Sequence, residues 1–495
     1  MILLGDALFF SISAYILNAA KKTLRADKKD YPEDRLLIIC RCNIIYRRDT
    51  RTFNIRNSKE IIMRKKLFSS ITVLSLFAAL LNGCGTAQPA PQETPQAAEQ
   101  PAVQKTEEPA PVIIPDADVS DDFTSSLVRF IEASGYENQN YIISPTSFRA
   151  ALALAAAGAD TDTKTELLSA MGFADMEELN QWYASAAASE DFFNQWLKAA
   201  IDEFESHKEF YGDSAEAPDG AFSLENSVWR NTKASGELSD TYKAYVKEHY
   251  DAMAENVAAN EITDAVNGWI NENTNGLIPM ISNDLSASDL VLANTLYLRT
   301  AWIDEFNEFL TEEGDFTAFD GRTVKKDFMH QRGEFAFYED DETTLVCLPM
   351  QGGVNALFVL GNAENAMDKL RSASFETVDV TLPKFETETS LSGNELIRFC
   401  KARGAELAFS PEADFSGMSE EMTLYITDII QKAKIKTEES GIEAAAATVI
   451  VMTEGAALIE EEPVVREFKA DKPFKFILFT DNGTPEPLFC GQIVE

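Results

Sequence analysis

The chain has 495 residues, 45% of them hydrophobic and 25% charged, which is ample apolar material for a large core. Its 81 acidic and 43 basic residues give a net charge of −38; residues 1–66 hold 15 Lys/Arg against 7 Asp/Glu, which leaves −46 on the remainder. A body so acidic repels phosphate backbones and anionic lipid, excluding nucleic-acid binding, and its three histidines and six cysteines form no metal-ligand or zinc spacing, so no metal or cofactor is expected.

The first 62 residues are basic and poorly periodic. From Met63 the chain reads MRKKLFSSITVLSLFAALLNGCG: three cations, an apolar run of signal-peptide length from Leu67 to Leu81, then Leu81-Asn82-Gly83-Cys84. This end resembles a bacterial lipobox, whose cysteine receives a diacylglyceryl thioether and becomes the new N-terminus. The expectation is a true start at Met63 with residues 1–62 untranslated and a lipoprotein signal peptide over 63–83. Cys84 would then be a lipid anchor, the chain's one membrane contact, on an extracytoplasmic bacterial surface. The alternatives are an ordinary signal peptide with an incidental cysteine, and a separate apolar anchor at 7–19. Residues 84–115 carry prolines at 89, 91, 95, 101, 109, 111 and 115 among Gln, Ala and Glu, the composition of a solvated, semi-extended tether.

Periodicity changes near residue 119. Ser120 and Asp121 read as a helix cap before Phe123, Leu127, Phe130 and Ile131 at helical spacing. Residues 146–171 read as two helices broken at Gly158, and 190–211, 239–250 and 261–272 also read as helical. From about 287 the pattern turns to strands: SDLVLANTLYLR, GEFAFYEDD, TTLVCLPMQ, VNALFVLG and ETVDVTLPKFE, then MTLYITDIIQKAKIKTEE, FKFILFT and EPLFCGQIV. Helices first and mostly antiparallel strands later predict an α+β fold, one large domain over 116–495. Cys347, Cys400 and Cys490 sit in apolar runs and are expected buried and inert.

Several blocks are then similar, in order and spacing, to the serpin family: NYIISPTSFRAALALAAAGA, NGWINENTNGLI, LANTLYLRTAW followed by EFNEF, FMHQRGEFAFYED, FSPEADFSGMSEE and EFKADKPFKFIL. Between them EESGIEAAAATVIVMTEG, residues 438–455, resembles the hinge of a reactive-centre loop, placed at about 439–464. The resemblance implies the serpin fold, helices packed on mostly antiparallel sheets under an exposed loop. It also implies a monomeric suicide-substrate inhibitor, not an enzyme, whose partner is a serine protease held as a covalent acyl complex. After cleavage the hinge would slide into the main sheet as a new strand. Such a strand needs a pivot, Gly441, and small leading side chains, Ala444, Ala445, Ala446 and Ala447. With period two Ile442, Ala444, Ala446, Thr448, Ile450 and Met452 would face the core and Glu443 the solvent. Burying Ile450 and Met452 would each contribute about 1.5–3 kcal/mol.

The resemblance also carries single positions. Ser144, Ser147 and Asn294 match shutter residues beneath the opening sheet, with Gln431 where the family usually has histidine. Trp302 matches the tryptophan where the loop enters, and Lys384 and Glu439 a pair beside it. Loop length puts the scissile bond at Gly455–Ala456, within a window that also contains Met452, Thr453, Glu454, Ala457, Leu458 and Ile459. The uncharged residues there are small or aliphatic, which suits an elastase-like or subtilisin-like target. The alternative is a non-inhibitory serpin that is merely cleaved, stores something or acts as a chaperone. A catalytic reading has no support, for the chain carries no GxSxG elbow and no paired-histidine metal site.

Overall fold

The computed structural model describes residues 122–208, 217–233, 236–391, 394–419, 424–427, 429–442 and 464–495. Cys84, the tether and everything before them lie outside the described residues, as do Glu443, Ala444 to Thr448 and the 452–459 window.

The chain opens with α1 (Phe123–Ile131), β1 (Tyr141–Ile143), α2 (Pro145–Gly158), α3 (Thr161–Met171) and α4 (Met176–Ser206). It continues through β2 (Ala221–Asn231), α5 (Asp240–Tyr250), β3 (Met253–Val257), α6 (Ile262–Asn273) and β4 (Leu290–Ala301). A strand-rich stretch follows: β5 (Glu312–Thr317), β6 (Thr323–Glu339), β7 (Thr343–Pro349), β8 (Val354–Gly361), the short α7 (Ala366–Arg371), β9 (Ser374–Pro383) and β10 (Phe385–Leu391). The end is α8 (Asn394–Ala402), β11 (Gln431–Glu438), β12 (Gly441–Ile442), β13 (Arg466–Lys469), β14 (Phe474–Asp481) and β15 (Pro485–Ile493).

Among the described residues the strands form two sheets. A nine-stranded sheet runs β1-β15-β14-β8-β7-β6-β9-β13 with β5 on β6, and a six-stranded sheet runs β10-β11-β12-β4-β2-β3. Pairing is antiparallel except for β2 with β3 and β13 with β9. Helix α2 is the central strut. Ser144 caps it by accepting from the Ser147 amide, Pro145 occupies its first turn, and its alanine- and leucine-rich length is almost wholly buried against β4 and β15. On the other face of the six-stranded sheet, α6 buries Ile262, Val266 and Ile270 against Trp229 and Ala293.

Four expectations shift. The cap of α1 is Asp122, which accepts from the Ser125 amide at 2.9 Å, not Ser120 or Asp121. The helix expected over 190–211 begins at Met176, where Asp175 accepts from the Glu178 amide and the Glu178 carboxylate accepts from the Ala174 amide. The capping signature Asp-x-x-Glu was there to be read; the weak periodicity of the alanine-rich turns hid it. Strand β2 lies outside the expected elements; its first five residues alternate between half-buried and buried and the remaining six are all buried, so the period-two signal covers only its first half. Within the strand expected over 422–439, the pairing among the described residues covers Gln431–Glu438. The register sets Leu391, the last described residue of β10, opposite Gln431. The three described cysteines are buried, and burial pushes the Cys400 and Cys490 thiols far above their ordinary range.

Candidate functional site: a slot between two strands

In the six-stranded sheet β11 and β4 are separated only by β12. β12 pairs Ile442 with Thr437 and Gly441 with Glu438 on one side, and Gly441 with Ala301 and Ile442 with Thr300 on the other. Beyond those two residues no described strand lies between Gln431–Lys436 and Leu290–Arg299. Two cavities of about 90 and about 40 Å³ occupy that track, and they share Ala151, Ile270, Ile281, Leu292, Ile429 and Ile430 as lining. Asn294, Thr295 and Leu296 line the smaller one from β4, and Gln431, Lys432 and Ala433 from β11.

The slot's upper end is firmly built. Gly441 has φ of +154°, and a Cβ there would fall within van der Waals contact of the Thr300 carbonyl oxygen and Ala301 Cα. Ile442, expected to be buried on insertion, is already 3% exposed between the two strands. Trp302 is 1% exposed; its Nε1 donates to the Glu438 carbonyl at 3.0 Å and its amide to the Ser440 carbonyl at 3.1 Å. Lys384 Nζ lies 2.8 Å from Glu439 Oε2, Thr311 Oγ1 donates to Glu439 Oε1 at 2.7 Å, and the Phe306 amide donates to the Glu439 carbonyl at 2.9 Å. Burial pushes the Glu439 carboxyl up, but the hydrogen bonds from Lys384 and Thr311 outweigh it and hold it below its ordinary range. The Lys384 ammonium is held above its own range, chiefly by the same hydrogen bond.

Lower down, Ser144, Ser147 and Gln431 come together, all less than 9% exposed. Gln431 Nε2 donates to the Ser144 carbonyl at 2.8 Å and its Oε1 accepts from the Ser144 amide at 3.2 Å, while Ser144 Oγ donates to the Leu488 carbonyl at 2.7 Å. The amide uses both its ends, as a neutral imidazole would. Asn294 lines the same cavity but bonds elsewhere: its Nδ2 donates to the Glu225 carbonyl and to Asn226 Oδ1 on β2. Among the described residues its Oδ1 has no partner, nor has Thr295 Oγ1 or Thr437 Oγ1. All three orphaned atoms sit on the two strands that flank the slot.

Sequence reasoning named Trp302, Lys384, Glu439, Gly441 and Ile442, and the structure brings these five to one place. It missed Thr311, Thr295 and Thr437, for which the sequence offers no local signal: each matters only through a neighbour distant in the chain.

The family model Serpin (serine protease inhibitor) matches residues 118–495. A serpin-like protein of Thermococcus kodakarensis is 30% identical over 75% of this chain and 84% of its own, and Serpin-ZX of Arabidopsis thaliana is 28% identical over 75% and 95%. The antitrypsin of Bombyx mori is 26% identical over 73% and 90%. Among solved structures, a highly specific serpin of the insect Tenebrio molitor superposes with a TM-score of 0.58 at 26% identity over 76% of this chain and 96% of that one. The fold is also that of the native thermophilic serpin tengpin, with a TM-score of 0.60 at 23% identity over 76% and 92%. Thyroxine-binding globulin in complex with thyroxine shares it too, at 0.59 and 21% over 76% and 98%. The chain belongs to the serpin family, a family of protease inhibitors.

Proposed function

We propose that this serpin is a suicide-substrate inhibitor of elastase-like or subtilisin-like serine proteases. The observation that carries the reading is the slot, two strands held apart by two residues of a hinge that continues through Glu443 into four alanines. Carrying β12's register onward sets Glu443 opposite Lys436 and Arg299, and Thr448 opposite Gln431 and Asn294. An inserted strand would give the facing backbone edges of β4 and β11 a ladder partner, and would set the Thr448 hydroxyl opposite Asn294, whose Oδ1 has no partner among the described residues. Cleavage at Gly455–Ala456, or within the 452–459 window, frees the hinge to enter. The tethered acyl-enzyme is dragged along and its oxyanion hole distorted, which removes the stabilisation that deacylation needs.

The lipobox-like end supports the further reading that Met63 is the start, that Cys84 carries a lipid, and that residues 84–115 hold the inhibitor off a bacterial surface as a monomer.

The test mixes the full-length protein with an elastase-like protease and resolves the mixture on a denaturing gel. A stable band at the summed mass is the expected result, and sequencing the released peptide locates the cut. Cleavage by a protease that stays active, with no rise in the thermal stability of the cut serpin, would overturn the inhibitory reading in favour of a serpin that is merely cleaved.

A further inference from the structure

The residues that grip the hinge belong to a segment that turns an apolar face outward. Ile303 is 44% exposed, Phe309 89% and Leu310 51%, and Phe309 is the most exposed large hydrophobic side chain among the described residues. The exposure is fixed by the local backbone. Asn307 Oδ1 accepts from the Phe309 amide at 3.0 Å, the Asn307 carbonyl from the Leu310 amide at 2.8 Å, and the Glu308 carbonyl from the Thr311 amide at 3.2 Å. This one-turn helix is anchored at Glu439, since Phe306 and Thr311 on either side of it both donate to that residue. Between Arg299 and Arg322 the sequence holds no cation, while Asp304, Glu308, Glu312 and Glu313 are exposed around the apolar tip. A rigid aromatic anchor set in carboxylates is the composition of a protein-binding hot spot with a charged rim. A protease domain of about 240 residues is roughly 45 Å across. Ile442, the last residue described before the loop, pairs with Thr300, three residues before Ile303, so a body of that size held on the loop would come within reach of this segment.

We propose that Ile303–Glu313 is a secondary docking surface for the target protease, and that this protease presents an apolar notch within a basic rim. The inference rests on the inhibitory reading for its partner. It adds that the partner is selected by surface charge as well as by the loop residues at the cut.

The test measures binding of the full-length protein to a cationic elastase whose catalytic serine is replaced by alanine, so that affinity is read without cleavage or insertion. Phe309→Ser combined with Leu310→Ser is expected to weaken that affinity about tenfold. The thermal midpoint, and with active elastase the cleavage position and stoichiometry, should stay unchanged. Glu308→Gln with Glu312→Gln and Glu313→Gln should flatten the salt dependence of association. An inactivated subtilisin without a basic rim should lose little with either variant. Unchanged affinity for elastase, an equal loss for both proteases, or a changed stoichiometry at unchanged affinity would each overturn the proposal, the last by showing that the segment only positions the hinge. No measurable binding of the inactivated elastase by the parent protein would overturn it as well. If the parent binds inactivated elastase through Phe309 yet traps none of the active enzyme, the docking surface stands and the inhibitory reading falls.

Discussion

Two central strands of this molecule are treated in opposite ways. In the nine-stranded sheet β14 is paired along its length by β15 on one side and, from Phe474 to Thr480, by β8 on the other. In the six-stranded sheet β4 is paired by β2 from Leu290 to Arg299, but on its other flank only Thr300 and Ala301 meet a described strand. β14 has no backbone capacity left; β4 keeps nearly a full edge in reserve, beside cavities and orphaned hydroxyl and amide oxygens. In the nine-stranded sheet β14's edges are filled on both sides; in the six-stranded one β4 keeps an open edge beside the slot.

The sharpest way to break this contrast is a charge in the hinge. Ala446→Arg would carry a guanidinium into the sheet interior, where an unpaired ion is strongly disfavoured. Covalent complex with the target should fall by about a hundredfold or more, every loop cut becoming simple turnover, with the thermal midpoint of the uncut protein unmoved; quantitative gels and a melting curve check both. In the saturated sheet, Phe476→Ala empties a site 1% exposed and should cost about 3–5 kcal/mol. Denaturant unfolding should show that loss about equally in the uncut and loop-cleaved forms, because β14 keeps its partners in both. A loss confined to one form would mean the two sheets are not independent.

Smaller changes test the seam. Gly441→Ala cannot keep its present φ without meeting Thr300, so β12 should detach at about 1–3 kcal/mol, and hydrogen exchange should quicken at Ile442 while β14 stays protected. Lys384→Met removes the cation that holds the Glu439 carboxyl down. A carboxyl whose folded pKa is depressed contributes stability above its unfolded value, near 4.5, and loses it as pH falls through the depressed one. Parent and variant should therefore differ by about 1 kcal/mol at pH 7 and converge in acid. A gap that persists at low pH would assign the effect to lost packing of the lysine stem. The smallest effect is at the shutter: Gln431→His should introduce a stability step near pH 6.5 at a site where the amide now titrates not at all.

Much of the scaffold was legible. The two helices read over 146–171 with a break at Gly158 are α2 and α3, and the runs of β7, β8 and β14 stand out because strands buried in a sheet read as continuous apolar or alternating segments. What was missed failed for physical reasons. Residues 424–427, 429 and 430 are apolar enough for a strand, but among the described residues the β10–β11 ladder begins only at Gln431. Asn294 and Gln431 look like members of one network by resemblance, yet each is bonded to its own side of the cavity. Phe309 reads as core by type and is displayed instead, because Asn307 closes a turn under it.

By itself the sequence determined a run of side-chain volumes over 441–451: a glycine, four alanines and β-branched residues behind them. Side-chain volume and backbone freedom are local properties, so they can be read one residue at a time. Only the tertiary structure decided that there is somewhere for that run to go. The slot exists because two strands far apart in the chain become neighbours held at a distance by Gly441 and Ile442, and unpaired edges, cavities and orphaned oxygens are properties of that juxtaposition, belonging to no residue alone.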